Sequence, residues 1–236
     1  MATKSLLQII QAVTGELNLS VPQTVLSNTT KTVVQLKALT IAACDELLEM
    51  EDWQQLLNIH SFNTVAATAT YELPSDYVRY VSNTGWDTTN NFPISGHENP
   101  QNWAVLSNGF NVSGPYTRYR VVGDLIELLP VPTGISTINL DYISSKYVVD
   151  GVTSAKKLEF TLDADTTLFN YRLVINFVKL KFWQIKGFDT SAAVQDFNNS
   201  LEVARGTNVP APNLILSGRY SDGLLSIFNT PDSIQA

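Results

Sequence analysis

Cysteine, histidine and clustered basic charge are what this 236-residue chain has least of. The single cysteine, Cys44, excludes an intramolecular disulfide and any paired-cysteine zinc site. It stands in Ala42-Ala43-Cys44 within a helical pattern and reads as a small buried residue. The only histidines, His60 and His97, lie far apart with no neighbour at metal-ligand spacing, so both read as loop or surface residues and no metal site is expected. The glycines form no Walker loop, dinucleotide fingerprint or Gly-X-Ser-X-Gly elbow; Gly114 and Ser217-Gly218 are isolated. No catalytic residue and no cofactor is therefore expected. Lys and Arg number 15 against 22 acids, a net charge of −7, and no segment is basic. That disfavours a protein that grips nucleic acid through its phosphates. No apolar run is long enough to span a membrane, and the amphipathic N-terminal stretch does not read as a signal peptide.

Apolar residues are plentiful at 44%, while charged residues make up only 16%. A packed core is within reach, and the low charge fits a subunit covered by neighbours. Leu6, Leu7, Ile9, Ile10, Val13 and Leu17 recur at helical spacing. After a loop with Pro22, a long helix is expected over residues 30–57, its stripe running Val33, Leu36, Leu39, Ala43, Leu47, Met50 and Leu57. Trp53 near its end is expected to pack at the junction with the β part. A third helix is expected after Asp163 and Asp165, acids placed where a helix start favours negative charge. Its stripe is Leu168, Tyr171, Val174, Ile175, Val178, Phe182 and Ile185, and Gly187 stops it. A fourth helix is expected from Thr190 to Arg205, with Ala193, Phe197, Leu201 and Ala204 inward and Gly206 as its stop. Leu36, Leu39 and Leu47 are expected to meet Val174, Val178 and Phe182.

From Ser61 the period changes. Short strands are expected around Phe62 to Leu73, Tyr77 to Val81 and Ile135 to Ile143, with Leu158–Leu162 a further strand or a linker. Gly123-Asp124 reads as a hairpin turn between Tyr119-Val122 and Leu125-Leu129. The fold class is thus α+β: an antiparallel bundle of two N-terminal and two C-terminal helices with a β-rich domain inserted between. The boundaries are 1–59 with 163–206 for the bundle, 60–162 for the insert, and 207–236 for an extended C-terminal tail. That tail carries Leu214, Leu216, Leu224, Leu225, Ile227 and Phe228 among Ser, Gly, Asn and Asp, an apolar set that a partner's groove would bury.

Two carboxylate pairs, Glu72 with Asp76 and Asp124 with Glu127, could support glycan hydrolysis, but turn and strand-end acids facing water account for them more simply. Trp86, Phe92, Trp103, Phe110, Tyr116 and Tyr119 could stack sugars or bases; without interleaved basic residues they read as core or interface.

Three runs carry a family resemblance: Tyr71-Glu72-Leu73-Pro74-Ser75-Asp76-Tyr77-Val78-Arg79, Leu125-Ile126-Glu127-Leu128-Leu129-Pro130-Val131-Pro132, and Trp183-Gln184-Ile185-Lys186-Gly187-Phe188-Asp189. With the order of helices, β insertion, helical hairpin and apolar tail, the chain resembles the head-to-tail adaptors of short-tailed bacteriophages, the tail tubular protein A-like group. The resemblance spans roughly residues 1–210. It implies a virion protein made in the host cytoplasm and no enzyme: a homo-oligomeric ring of about twelve copies that joins the portal protein to the tail nozzle protein. Residues Leu214, Leu216, Leu224, Leu225, Ile227 and Phe228 would bind the portal, and DNA would pass through without specific binding. Alternatives are another tail or collar subunit, or a virion-associated peptidoglycan hydrolase.

Overall fold

Ser5 opens the first helix with a reciprocal cap. Its hydroxyl accepts from the Gln8 N–H at 3.3 Å while the Gln8 carboxamide accepts from the Ser5 N–H at 3.1 Å. The computed structural model describes residues 3–108 and 117–208, which hold five helices and eleven short strands. The helices are α1 (Leu6–Glu16), α2 (Lys31–Met50), α3 (Pro100–Asn108), α4 (Tyr171–Lys186) and α5 (Ser191–Asn208). All strand pairs among the described residues are antiparallel, which makes the fold mixed α and β.

Helix α4 is the shared neighbour of α1, α2 and α5. Residues 173–178 are buried without interruption, the mark of a helix enclosed on every side. Asn170 caps its start, its side chain accepting from the Arg172 N–H at 2.9 Å. Gly187, in the left-handed region at φ 71°, ends it as expected. Leu36, Leu39, Leu47, Val174, Val178 and Phe182 lie in one buried cluster, together with Ala193, Phe197, Leu201 and Ala204 from α5. Cys44 is buried there too, and burial pushes its thiol up to about 12.

The strands are β1 (Leu57–Asn63), β2 (Thr70–Glu72), β3 (Tyr77–Tyr80), β4 (Trp86–Asp87), β5 (Phe92–Pro93), β6 (Arg118–Val122), β7 (Leu125–Leu129), β8 (Thr137–Ser144), β9 (Val148–Val149), β10 (Lys156–Lys157) and β11 (Thr166–Thr167). β8 pairs β1 along one side, and β3 and β4 along the other; β5 extends from β4. β2, β7 and β6 form a second sheet, in which Gly123 at φ 61° turns the β6–β7 hairpin. β10, β9 and β11 form a third. Ile138 and Leu140 of β8 pack with Tyr119, Ile126 and Leu128 in a β cluster, while Ile143 of the same strand enters the helical cluster. One strand therefore spans both cores.

Several sequence expectations are corrected. α2 stops at Met50 rather than running to residue 57, and Leu57 opens β1. Glu51 is extended, and the carbonyls of the last turn are taken by side chains: Trp53 Nε1 donates to Leu47 O at 2.6 Å, and Arg79 to Leu48 O. Met50 and Ile185, expected on apolar stripes, are exposed. α4 starts at Tyr171, so Asp163 and Asp165 are not its first-turn acids. α5 runs through Gly206 to Asn208, since that glycine adopts no left-handed backbone. Of the two readings of Leu158–Leu162 the linker holds: no strand falls within it, and of that stretch only Phe160 is buried. α3, not expected at all, begins where Asn99 Oδ1 accepts from the Asn102 N–H at 2.8 Å.

Candidate functional site

Arg79 joins the sheet to the helices. Sitting on β3, it donates through Nη1 to Leu48 O at 3.1 Å, through Nη2 to Glu51 O at 2.6 Å, and through Nε to Asp52 Oδ1 at 2.8 Å. A planar fork with several donors suits a helix end whose carbonyls have no partner in the helix. Nearby, Asn208 closes the other side of this junction. Its Nδ2 donates to Asp52 O at 3.0 Å and its Oδ1 accepts from the Gln54 N–H at 2.8 Å.

Two buried carboxylates hold the remaining junctions. Asp165, fully buried, accepts from the N–H groups of Gly151, Thr161 and Leu162 and pairs with Lys157 at 2.7 Å. Burial opposes its ionisation, but Lys157 and the three N–H groups outweigh that and hold the carboxyl below its ordinary range. Its carbonyl accepts from Leu6 N–H, and that of Asp163 from Leu7 N–H, so two free donors of the first turn of α1 are satisfied. The Asp163 side chain accepts from the Val25 and Leu26 N–H groups. Asp76 accepts from Tyr142 at 3.0 Å and Ser144 at 2.6 Å, with Lys146 at 3.5 Å. Burial again works against the charge, and these donors overcome it, lowering its pKa.

The carboxylate pairs weighed for hydrolysis therefore come apart. Asp76, expected to face water, is buried in structural bonds, while Glu72 is exposed. Glu127 pairs with Arg120 at 2.6 Å, and Asp124 stands exposed at the hairpin. His60 is half-buried on β1 rather than in a loop; its Nδ1 shares a 2.6 Å hydrogen bond with the Tyr80 hydroxyl, and burial lowers its pKa. His97 is exposed beside Tyr119. Trp103 and Tyr119 are buried, Arg120 lying over the Trp103 ring at 4.6 Å, so neither offers a stacking platform. Phe110 and Tyr116 lie outside the described residues, and so do Leu214, Leu216, Leu224, Leu225, Ile227 and Phe228. Among the described residues no group of metal-ligating side chains converges, and no helix is long and apolar enough to cross a membrane.

What the described surface does offer is apolar. Around the α4–α5 corner, Leu17, Leu19, Trp183 and Phe188 line a groove of about 670 Å³ rimmed by Lys186. Along the outer face of β1, Ile59 is 66% and Leu57 38% exposed. Surfaces of this kind serve association rather than chemistry. Sequence reasoning missed Arg79 and Asn208, because their partners lie 27 to 156 positions away and leave no local signal.

The sequence model of the SU10 adaptor protein family matches residues 4–202, most of the chain. None of the curated proteins compared with the chain gives a significant match. The chain belongs to the SU10 adaptor protein family, an adaptor family of short-tailed phages and so one of structural proteins.

Proposed function

We propose that this SU10 adaptor is a head-to-tail adaptor of the virion neck: one of about twelve copies in a ring that joins the portal protein to the tail nozzle protein and lines the DNA channel. The family match over residues 4–202 is the observation that carries the reading. In it, the helices of 1–59 and 163–206 act as one bundle facing the portal, and 60–162 act as a unit facing the nozzle. The tail from residue 207 supplies the portal anchor, with Leu214, Leu216, Leu224, Leu225, Ile227 and Phe228 entering a groove of the partner. The net charge of −7 supports the channel role, because an acidic wall does not hold a passing phosphate backbone. The protein is made in the host cytoplasm and works without catalysis.

Cryo-electron microscopy of the virion that carries this chain tests the reading. A ring of this fold between portal and tail supports it. The same fold found only at the distal tail, or on the capsid surface, sinks it.

A further inference from the structure

β1 is an edge strand: among the described residues it pairs only with β8, in a seven-residue register from Leu57↔Ile143 to Asn63↔Thr137. A strand of this length with one open side presents a row of peptide groups ready to pair with another chain. The face it shares with Leu57 and Ile59 is also uncovered, and Ile59, a β-branched residue in mid-strand, is 66% exposed. An open edge and an exposed apolar face on the same strand together describe a place for one more strand.

The chain itself brings a candidate to that place. The described residues end at Asn208, whose carboxamide is bonded to Asp52 O and to the Gln54 N–H, three residues before β1 begins. The next residues in the sequence are Val209-Pro210-Ala211-Pro212 and then Asn213-Leu214-Ile215-Leu216-Ser217. Four residues span up to roughly 13 Å when extended, enough to pass the single turn Gln54–Leu56 and reach the level of Leu57. In the five residues after them, Leu214 and Leu216 stand two positions apart with Ile215 between, the same spacing as Leu57 and Ile59, and in an extended segment positions two apart share a face.

We propose that residues 213–217 of this chain dock on the open edge of its own β1, parallel to it, with Leu214 and Leu216 beside Leu57 and Ile59. The arrangement deepens the adaptor reading and rests on it for one point only, the competitor. Before docking, the proximal tail is covered by its own subunit, so two of its six apolar residues are withheld from wrong partners. The portal then captures Leu224, Leu225, Ile227 and Phe228 first, and takes over Leu214 and Leu216 by displacing them from β1. Strand addition itself involves no portal, so it is tested without one.

Hydrogen exchange read by mass spectrometry on peptides covering 57–63 provides the test, in the free full-length protein and in a Leu214→Asp/Leu216→Asp variant. In the intact chain the outward amides of β1 exchange at least about tenfold more slowly than in the variant, while those of α4 are unchanged. Equal exchange of β1 in both proteins overturns the proposal. A disulfide trap decides independently of how the variant folds: Ile59→Cys with Leu216→Cys, the native Cys44 being buried. Closure within one chain, seen at monomer mass, supports the proposal; closure only between chains, or none, overturns it. Either failure leaves the adaptor reading standing, since portal binding is measured separately.

Discussion

Arg79 Nε lies 2.8 Å from Asp52 Oδ1, with the same guanidinium donating to two carbonyls at the end of α2. The pair fixes where the longest helix stops and how β3 meets it. Arg79 is part-buried, and its carbonyl bonds matter more than the exposed half of the ion pair. Arg79→Met is expected to lower stability by about 2 kcal/mol, from the loss of charge-assisted hydrogen bonds at carbonyls left without partners. Arg79→Lys restores only a part, because an ammonium cannot serve three acceptors in one plane. Urea unfolding of the three proteins checks both statements; a full rescue by lysine would show that charge alone matters.

Phe182 is 6% exposed in the helical cluster, while Ile185, three positions on, is 58% exposed. Phe182→Ala is expected to cost about 3–5 kcal/mol, and Ile185→Ala within about 0.5 kcal/mol. Calorimetry separates them, and equal melting temperatures would place Phe182 on the surface.

Much of this helical part is legible in the sequence, and the misses share a cause. The stripe Val174, Val178, Phe182 and the stop at Gly187 are local patterns, and they hold. α2 reads too long because Met50 and Leu57 continue its spacing, and the residue that takes its last carbonyls is Arg79, 27 positions beyond Asp52. Asp163 and Asp165 sit where helix-start acids sit, yet their side chains serve N–H groups of Val25, Leu26, Gly151, Thr161 and Leu162. Asp76 passes for a turn acid until β8 brings Tyr142 and Ser144 to it. The candidate surface is less legible still. Exposure of Ile59 and the open side of β1 depend on which strands pair, and alternation alone does not tell an edge from a centre.

Asp165 and Asp76 are two buried contributors to the response to acid. Both folded carboxyls titrate below their unfolded values, so both contribute stability that is complete above about pH 5 and is lost as pH falls through the folded values. Asp165→Asn is expected to cost about 3 kcal/mol at neutral pH, because Lys157 and the N–H groups lose their charged acceptor. The variant should also lose less stability than the parent between pH 5 and pH 3. Unfolding curves at these two values check it, and an unchanged acid slope would assign the acid response to other groups.

With a net charge of −7 and an anchor suited to a foreign groove, the free protein is expected to be monomeric or weakly associating and to form its ring only on the portal. Native mass spectrometry at low protein concentration checks this. A stable closed ring without portal would contradict it.

Docking onto the portal is the central claim, and co-sedimentation of purified portal rings with the intact protein, and with a chain ending at Pro212, tests it most directly. The account expects the intact chain to sediment with the portal. The shortened chain is expected to keep its far-ultraviolet circular dichroism and to stay in the supernatant, since six buried side chains at roughly 1.5–3 kcal/mol each before ordering costs dominate attachment. Failure of the intact chain to associate, or equal association by the shortened one, would contradict the account.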